Sequence, residues 1–404
     1  MADKEQLMNL GEQVFYKTYN RFPVVFDHGK GMYLYDTEGR EYLDFGAGIA
    51  VMALGYGDET FSRAVKKQID KLTHTSNLFY NEPAIKAGEK LLKVSGMDKV
   101  FFTNSGTEAI EGALKIARRY AYNKKQKSGT CQKDAEIIAM THSFHGRSMG
   151  ALSVTGNAPY QEPFQPLIPG IKFAQYNNLD SVKQLITDQT CAVILETIQG
   201  EGGIYPAEKE FLQGIRKLCD DLDILMILDE VQCGMGRTGR MFAWQHYGVK
   251  PDVMAVAKAL GNGVPIGAFL ACGKAALAMV PGDHGSTYGG NPLVCAATLS
   301  VLDIFEERDL LTHVQEMGQY LWEKLEELKD TCPAVAAHRG MGLMQGLELC
   351  SDISAGETAK KALREENLVL ITAAGNTIRL IPPLIAGKSE IDEMISRLVA
   401  IIGK

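Results

Sequence analysis

Residues 227–258 read ILDEVQCGMGRTGRMFAWQHYGVKPDVMAVAK. An apolar run ends on two adjacent acids, Asp229 and Glu230. A glycine-rich loop follows, and a second apolar run ends on a single lysine, Lys258. Short runs that are apolar throughout are strands buried on both faces, and helix-length segments between them make a mostly parallel sheet. Neighbouring strand residues point to opposite faces, so Asp229 and Glu230 do not work as one pair. In open sheets of this class ligands lie beyond the carboxyl ends of the strands, which is where the carboxylate and the amine stand.

The pattern extends outward from that stretch. KVFFTN (99–104), EIIAMTHS (136–143), CAVILET (191–197), ILMILDE (224–230), DVMAVAK (252–258) and GAFLACG (267–273) are the expected strands. They imply an α/β fold, a mostly parallel sheet with helices on both faces. Earlier, GMYLYDTEGREYLDF (31–45) reads as a hairpin turning at Thr37-Glu38-Gly39. Later, a long amphipathic helix over 292–328 breaks near Arg308-Asp309. GMGLMQGLEL and NTIRLIPPL then read as strands, with helices at 356–366 and 389–402. The expected partition is a large ligand-binding domain over 61–300, a smaller α+β domain over 301–404, and an N-terminal segment, 1–60, that packs with the smaller one.

Composition narrows the class of function. The chain has 404 residues and a formal net charge of -7, without a basic stripe of the kind phosphate backbones require, so nucleic acid is not an expected partner. No apolar run is long enough to span a bilayer and no apolar leader opens the chain, so a cytosolic protein is expected. Cys131, Cys191, Cys219, Cys233, Cys272, Cys295, Cys332 and Cys350 are scattered without a C-x-x-C pair, which argues for reduced thiols rather than a zinc site or a disulfide framework. His142 and His145 form an H-x-x-H pair with no third ligand near it, so hydrogen bonding or packing is expected of them instead of metal binding.

Three features carry chemistry. SGTEA (105–109) follows a strand and opens the helix EAIEGALKIARR. Free N–H groups at such a start bind anions, and Ser105 and Thr107 add hydroxyls; the plainer reading is a capping box, Ser105-x-x-Glu108. Asp229 is a metal ligand, a base, a helix cap, or the partner of a buried cation. Lys258, at the end of an apolar run, is a surface lysine or a desolvated amine suited to Schiff-base chemistry. Pyridoxal phosphate uses all three features at once. Its aldehyde takes a lysine, its pyridine nitrogen takes a carboxylate, and its phosphate takes a helix N-terminus.

TNSGTEAIEGALKIAR, SFHGRSMGALSVTG, ETIQGEGG, LDEVQCGMGRTG, VAKALGNGVPIGA and HGSTYGGNPLVCAA together resemble the class III aminotransferases, pyridoxal phosphate enzymes of fold type I. The likeness spans essentially the whole chain. YNRFPVVFDHGKGMYLYDTEGREYLDFGAGIAV and TIRLIPPL bring it nearest to members that act on N2-acetylornithine. The resemblance implies that Lys258 condenses with the cofactor aldehyde and serves as the proton shuttle, while Asp229 pairs with the ring nitrogen. Val231 and Phe144 would cover the two ring faces and Gln232 would lie near the ring hydroxyl. Glu196 would orient the surroundings, and Glu230 is counted with the cofactor-binding residues. Ser105, Gly106 and Thr107 would hold the phosphate, with Thr287 reaching it from the neighbouring subunit of a homodimer. Arg147, with Ser286 nearby, would bind the carboxylate of the acylated amine. Arg379 would clamp the α-carboxylate of glutamate, and Glu201 would pair with Arg379 when that carboxylate is absent. Arg379 has independent support, since it interrupts the apolar strand 378–381, where a charge needs a reason.

The implied reaction moves a δ-amino group between N2-acetylornithine and 2-oxoglutarate, running in the cell towards acetylornithine and arginine. Ornithine, succinylornithine, N-succinyldiaminopimelate and 4-aminobutyrate are the competing amines. A non-catalytic binding protein on the same fold is the rival of another class, and the intact Lys258, Asp229 and Gln232 speak against it. A dehydrogenase is excluded by spacing, because GMGRTG (234–239) is not a dinucleotide fingerprint. Three departures from the family pattern stand out: Thr197 replaces a usual proline, Cys233 a common threonine, and GYGDETF (55–61) a more usual stretch expected at the substrate entrance.

Overall fold

The computed structural model describes residues 4–128 and 135–403; Cys131 lies outside the described residues. At its centre is a seven-stranded sheet. Its strands are β1 (Lys99–Thr103), β2 (Glu136–Met140), β3 (Ile171–Ala174), β4 (Thr190–Glu196), β5 (Leu225–Asp229), β6 (Val253–Val256) and β7 (Gly267–Ala271). Their spatial order is β1-β7-β6-β5-β4-β2-β3. All pairings are parallel except those of β7, which runs antiparallel to both β6 and β1. β3 is absent from the sequence expectation. Its four residues, IKFA, are an edge strand left mostly half-buried, too short and too mixed to show a pattern.

The inner strands are apolar throughout because both faces are covered. Ile194 of β4 and Ile227 of β5 face one side, where they pack with Ile110, Ala113 and Ala117 of the helix Gly106–Ser128. Val193 and Leu195, with Met226 and Leu228, face the other side and meet Phe211, Leu212 and Ile215 of the helix Lys209–Leu222. A period of two with apolar residues in both phases is what an uninterrupted apolar run encodes.

Beyond residue 290 the helices Pro292–Glu307 and Leu310–Thr331 follow each other, separated at Asp309, whose φ of 46° is left-handed. A four-stranded antiparallel sheet follows, in the order Val335–Met341, Met344–Leu349, Thr377–Leu380, Ile371–Ala373. GMGLMQGLEL, read as one strand, turns out to contain the hairpin turn at Gly342-Leu343. The N-terminal hairpin, Tyr33–Asp36 against Glu41–Asp44, pairs in parallel with Leu368–Val369 from the far end of the chain. GYGDETF does not line the cavities described below. It anchors this hairpin instead: Tyr56 donates its hydroxyl to Asp44 at 2.6 Å, and Asp58 caps the helix Glu59–Lys71 and pairs with Arg308 at 2.6 Å. Among the described residues no helix is long and apolar enough to cross a membrane.

Candidate active site

Parallel register brings the chemical residues to one edge. Asp229 at the end of β5 lies level with Glu196 of β4 and with Ala255 of β6, and Lys258 follows just past the end of β6. They open into a cavity of about 470 Å³, which is also lined by Ser105, Gly106, Thr107, Phe144, Arg147, Val231 and Gln232. The sequence had scattered these residues over more than 150 positions.

Asp229 is buried. One carboxylate oxygen accepts from the Val231 N–H at 2.9 Å and the other from His145 Nδ1 at 2.8 Å. His145 is wholly enclosed and its Nε2 has no partner among the described residues. Burial alone would lower the imidazole's pKa, but the Asp229 carboxylate, joined by Glu196, more than offsets it and the net shift is upward. This histidine is the pair's hidden member: the sequence offered only packing or hydrogen bonding for it. Glu196 accepts from the backbone N–H groups of Phe144 at 2.9 Å and Gly200 at 3.1 Å. Burial and the nearby Asp229 raise its pKa to about 7, against His145 and those two N–H groups.

Lys258 sits on strained backbone, with φ at 50°. Burial lowers its pKa to about 8; the Arg379 guanidinium lowers it too, while Glu201, Asp229 and Glu196 resist. An amine so placed sheds its proton close to neutrality and becomes nucleophilic.

At the other end of the cavity the helix Gly106–Ser128 begins. The capping reading of SGTEA holds in part: Ser105 Oγ accepts from the Glu108 N–H at 3.3 Å, while Glu108 accepts from the N–H of Asn104, one residue before Ser105, at 3.0 Å. The backbone comes close here. A Cβ at Gly106 would stand 2.9 Å from Val231, and one at Gly146 would stand 2.4 Å from the Thr107 hydroxyl. Thr107 Oγ1 lies 2.7 Å from Ser148 Oγ, which in turn donates to Glu111 at 2.6 Å. Sequence reasoning missed this support, although Glu111 stands one helical turn after Thr107 and Ser148 directly follows Arg147.

The two arginines behave differently. Arg379 is buried in the strand Thr377–Leu380; its Nη1 pairs with Glu201 and donates to Gln232 Oε1 at 3.1 Å. Arg147 is exposed at the mouth, its guanidinium 3.7 Å from the centre of the Tyr160 ring and 5.5 Å from that of Phe144. It has no carboxylate within 4.0 Å among the described residues.

Two expected residues stand elsewhere, and a third, Thr287, was expected at a neighbouring subunit's site and not at this one. Glu230 points away from the cavity, as alternation requires. It is wholly buried and accepts from the Ala243 and Trp244 N–H groups at 2.8 and 2.9 Å and from the Thr197 hydroxyl at 2.8 Å. It supports the loop behind Asp229 and is not a cofactor contact. Ser286 lies on the Asn104 side, its Oγ 3.2 Å from Asn104 Nδ2 and 2.9 Å from the Gly289 N–H, outside the cavity lining near Arg147. Thr287 is exposed and does not reach this chain's own cavity.

Comparison with known proteins places this geometry in a family. The model of "Aminotransferase class-III" matches residues 14–402. The chain is 49% identical to the acetylornithine aminotransferase of Clostridium acetobutylicum, over 94% of this chain and 96% of that one. The ornithine aminotransferase from Toxoplasma gondii superposes with a TM-score of 0.94 at 31% identity, covering 100% of this chain and 95% of that one. A second structure of that enzyme carries pyridoxal phosphate at partial occupancy in its active site. The acetylornithine aminotransferase from Elizabethkingia anophelis gives a TM-score of 0.87 at 30% identity, covering 100% and 99%. By a match that runs through nearly every residue, the chain belongs to the class III aminotransferases, enzymes that work with pyridoxal phosphate.

Proposed function

We propose that this aminotransferase moves the δ-amino group of N2-acetylornithine to 2-oxoglutarate, giving N-acetylglutamate 5-semialdehyde and glutamate, and runs the reverse in arginine biosynthesis. The observation that carries the reading is the pair of arginines around Lys258: Arg379, buried and paired with Glu201 behind Gln232, and Arg147, on the cavity lining without a carboxylate partner among the described residues. Similarity to the curated acetylornithine aminotransferases supports the choice of amine.

The residues present fit pyridoxal phosphate. All these residues line one cavity: Asp229 would hold the ring nitrogen, Val231 and Phe144 would flank the ring, and Ser105, Gly106 and Thr107 would hold the phosphate in a cradle that an added Cβ at Gly106 would crowd. When bound, the cofactor supplies an aldehyde for the amine and a cationic ring that withdraws electrons from the substrate carbon. His145 holds Asp229 in orientation, and the Asp229 carboxylate in turn favours the protonated form of the imidazole. Lys258 Nζ, deprotonated near pH 8, takes the proton from the amine-bearing carbon of the substrate. Arg147 binds the substrate carboxylate in the first half-reaction. In the second, 2-oxoglutarate displaces Glu201 from Arg379, and two parallel hydrogen bonds fix its α-carboxylate. Thr287, exposed on its own chain, completes the phosphate cradle of a second copy, so the working form is a homodimer.

The test is a set of single half-reactions without keto acid, following loss of the visible absorbance of the cofactor-bound enzyme. Rapid loss with N2-acetylornithine but not with ornithine, succinylornithine or 4-aminobutyrate is expected. Faster loss with another amine replaces the substrate and keeps the mechanism. No visible band after adding cofactor removes the reading.

A further inference from the structure

Glu201 stands in the turn of a short hairpin whose strands are Ile198–Gln199 and Tyr205–Pro206. The four-stranded sheet that carries Arg379 receives this turn on one face. Arg339, Gly346 and Arg379 are paired directly across three adjacent strands of that sheet, so their side-chain positions share that face. Gly346 leaves the middle of the row open and Ile204 fills it: a Cβ at Gly346 would stand 2.9 Å from that of Ile204. On one side of the row Arg379 holds Glu201. On the other side stands Arg339, which does not line the main cavity.

Arg339 donates from three nitrogens to three partners. Nε reaches the Gly203 carbonyl at 2.8 Å, Nη1 reaches Glu348 at 2.6 Å, and Nη2 reaches the hydroxyl of Thr377, two residues before Arg379, at 3.0 Å. Its guanidinium also lies 4.0 Å from the centre of the Tyr205 ring. Glu348 and Thr377 thus fix the fork, and the fork fixes the turn. The turn needs holding. Ile204 has a left-handed φ of 58°, costly for a β-branched residue, and such backbone persists only where its surroundings impose it. A further tie is the Ala374 N–H, which donates to the Glu201 carbonyl at 3.0 Å. The Glu201 side chain has more room. It also borders a second chamber, of about 220 Å³, that opens beside Phe144, so the carboxylate can leave Arg379 while the backbone stays.

We propose that Arg339 is a positioning residue for the Glu201–Arg379 pair. It ties Gly203 and Tyr205 to the strand that carries Arg379. That keeps the Glu201 carboxylate within reach of the guanidinium and reduces its exchange with an incoming α-carboxylate to a side-chain rotation. Loosening the tie favours the open Arg379, as removal of the Glu201 charge does. It therefore strengthens dicarboxylate binding at the expense of the amine half-reaction. The inference rests on the 2-oxoglutarate reading above.

Two variants test it. Arg339→Lys keeps a positive charge beside Glu348 and loses the fork; Tyr205→Leu keeps the fork and removes the exposed ring against it. Each is made alone and together with Glu201→Gln, and the two half-reactions of the holoenzyme are followed separately. With Glu201 present, the ratio of apparent affinities is expected to move towards 2-oxoglutarate and away from N2-acetylornithine. The shift is about 3- to 10-fold in Arg339→Lys and about 2- to 3-fold in Tyr205→Leu. In the Glu201→Gln background neither substitution shifts the ratio by more than about 1.5-fold, because the group being positioned has lost its charge. A role confined to folding would weaken both half-reactions alike, or act equally with and without the Glu201 charge; either result overturns the proposal, as does an unchanged ratio. A wild-type enzyme that takes the amine from N2-acetylornithine but hands it to a keto acid other than 2-oxoglutarate overturns the acceptor reading itself, and the role of Arg339 goes with it.

Discussion

Lys258 shows how much one residue's surroundings decide. Buried beyond β6 and facing Arg379, its amine is held at about 8, well below an ordinary lysine. Lys258→Ala removes the proton shuttle and the nucleophile together. It is expected to lower kcat by at least about 10³-fold while the protein still binds pyridoxal phosphate through the phosphate cradle and Asp229, read by equilibrium dialysis. Loss of binding along with activity, in a folded protein, would make the lysine an anchor and not a catalyst. Glu201→Gln acts on the other switch. Without its anionic partner Arg379 is permanently ready for a dicarboxylate, so the Kd for 2-oxoglutarate should fall while the acylated-amine half-reaction slows, changing their ratio by about 10-fold. Unchanged rates in both half-reactions would remove Glu201 from the gate. Both arginines and Glu201 were legible in the sequence through their motifs. His145 as the partner of Asp229 was not, because 84 positions separate them and only the sheet brings them together.

At the scale of elements, two of the chain's departures from its family, Thr197 directly after β4 and Cys233 on the loop that leaves β5, meet at one buried carboxylate. Thr197 and Cys233 both touch Glu230: the hydroxyl donates at 2.8 Å, and the thiol lies 3.5 Å from the carboxylate. Burial raises the pKa of Glu230 to about 7, against hydrogen bonds from Ala243, Trp244, Thr197 and Cys233. The folded protein thus holds this proton more tightly than the unfolded chain. The stability it contributes is full below the ordinary carboxylate range and is lost as pH rises through about 7. Thr197→Val removes a donor that favours the charged form. Its penalty should therefore be larger at pH about 8, roughly 1.5–3 kcal/mol, than at pH about 5.5, roughly 0.5–1.5 kcal/mol. Thermal melts at the two pH values measure this, and equal penalties would mean that Glu230 carries the same charge at both. The start of the helix Gly106–Ser128 makes a steric prediction. Gly106→Ala presses a methyl against Val231, which also bounds the cavity, so cofactor affinity should fall by about 1–3 kcal/mol with the fold retained. Fluorescence titration of the apoenzyme with pyridoxal phosphate gives the number; wild-type affinity would place the cradle elsewhere.

Across the whole molecule, the most unusual residue is Arg237 of the GMGRTG loop, the largest fully buried side chain among the described residues. It has no acidic partner among the described residues. Its Nη1 donates to Leu343 O at 3.1 Å and to Pro382 O, and its own carbonyl accepts from the Leu343 N–H at 3.0 Å. Desolvation lowers its pKa to about 9. The loop that begins at Asp229 is thereby tied to the hairpin Val335–Leu349 and to the segment just after Arg379. Both bonds leave the one nitrogen, Nη1, and a lysine here would carry a compact, more strongly hydrated ammonium into the same acid-free burial, so Arg237→Lys should destabilise the fold by about 2–4 kcal/mol in denaturant titration. Because Arg379 shifts with Pro382, the KM for 2-oxoglutarate should rise more than that for the amine; an equal change in both would confine Arg237 to stability.

The sequence by itself determined six of the seven strands of the sheet, the break near Asp309, the family, and the residue types at the strand ends. These are local in origin: apolar runs, periodicity and motif spacing survive in one dimension. It misread GMGLMQGLEL because the turn at Gly342-Leu343 is flanked by apolar residues on both sides, and it left β3 unseen because an edge strand needs little apolar sequence. Only the tertiary structure decided that Glu230 supports from behind while Asp229 faces the cavity with His145, that Arg379 is buried against Glu201 while Arg147 stacks over Tyr160, and that a second chamber opens beside Phe144. Each of these depends on which side chains from distant segments share a desolvated space. Burial and pairing, unlike periodicity, are properties of the packed molecule, not of the chain.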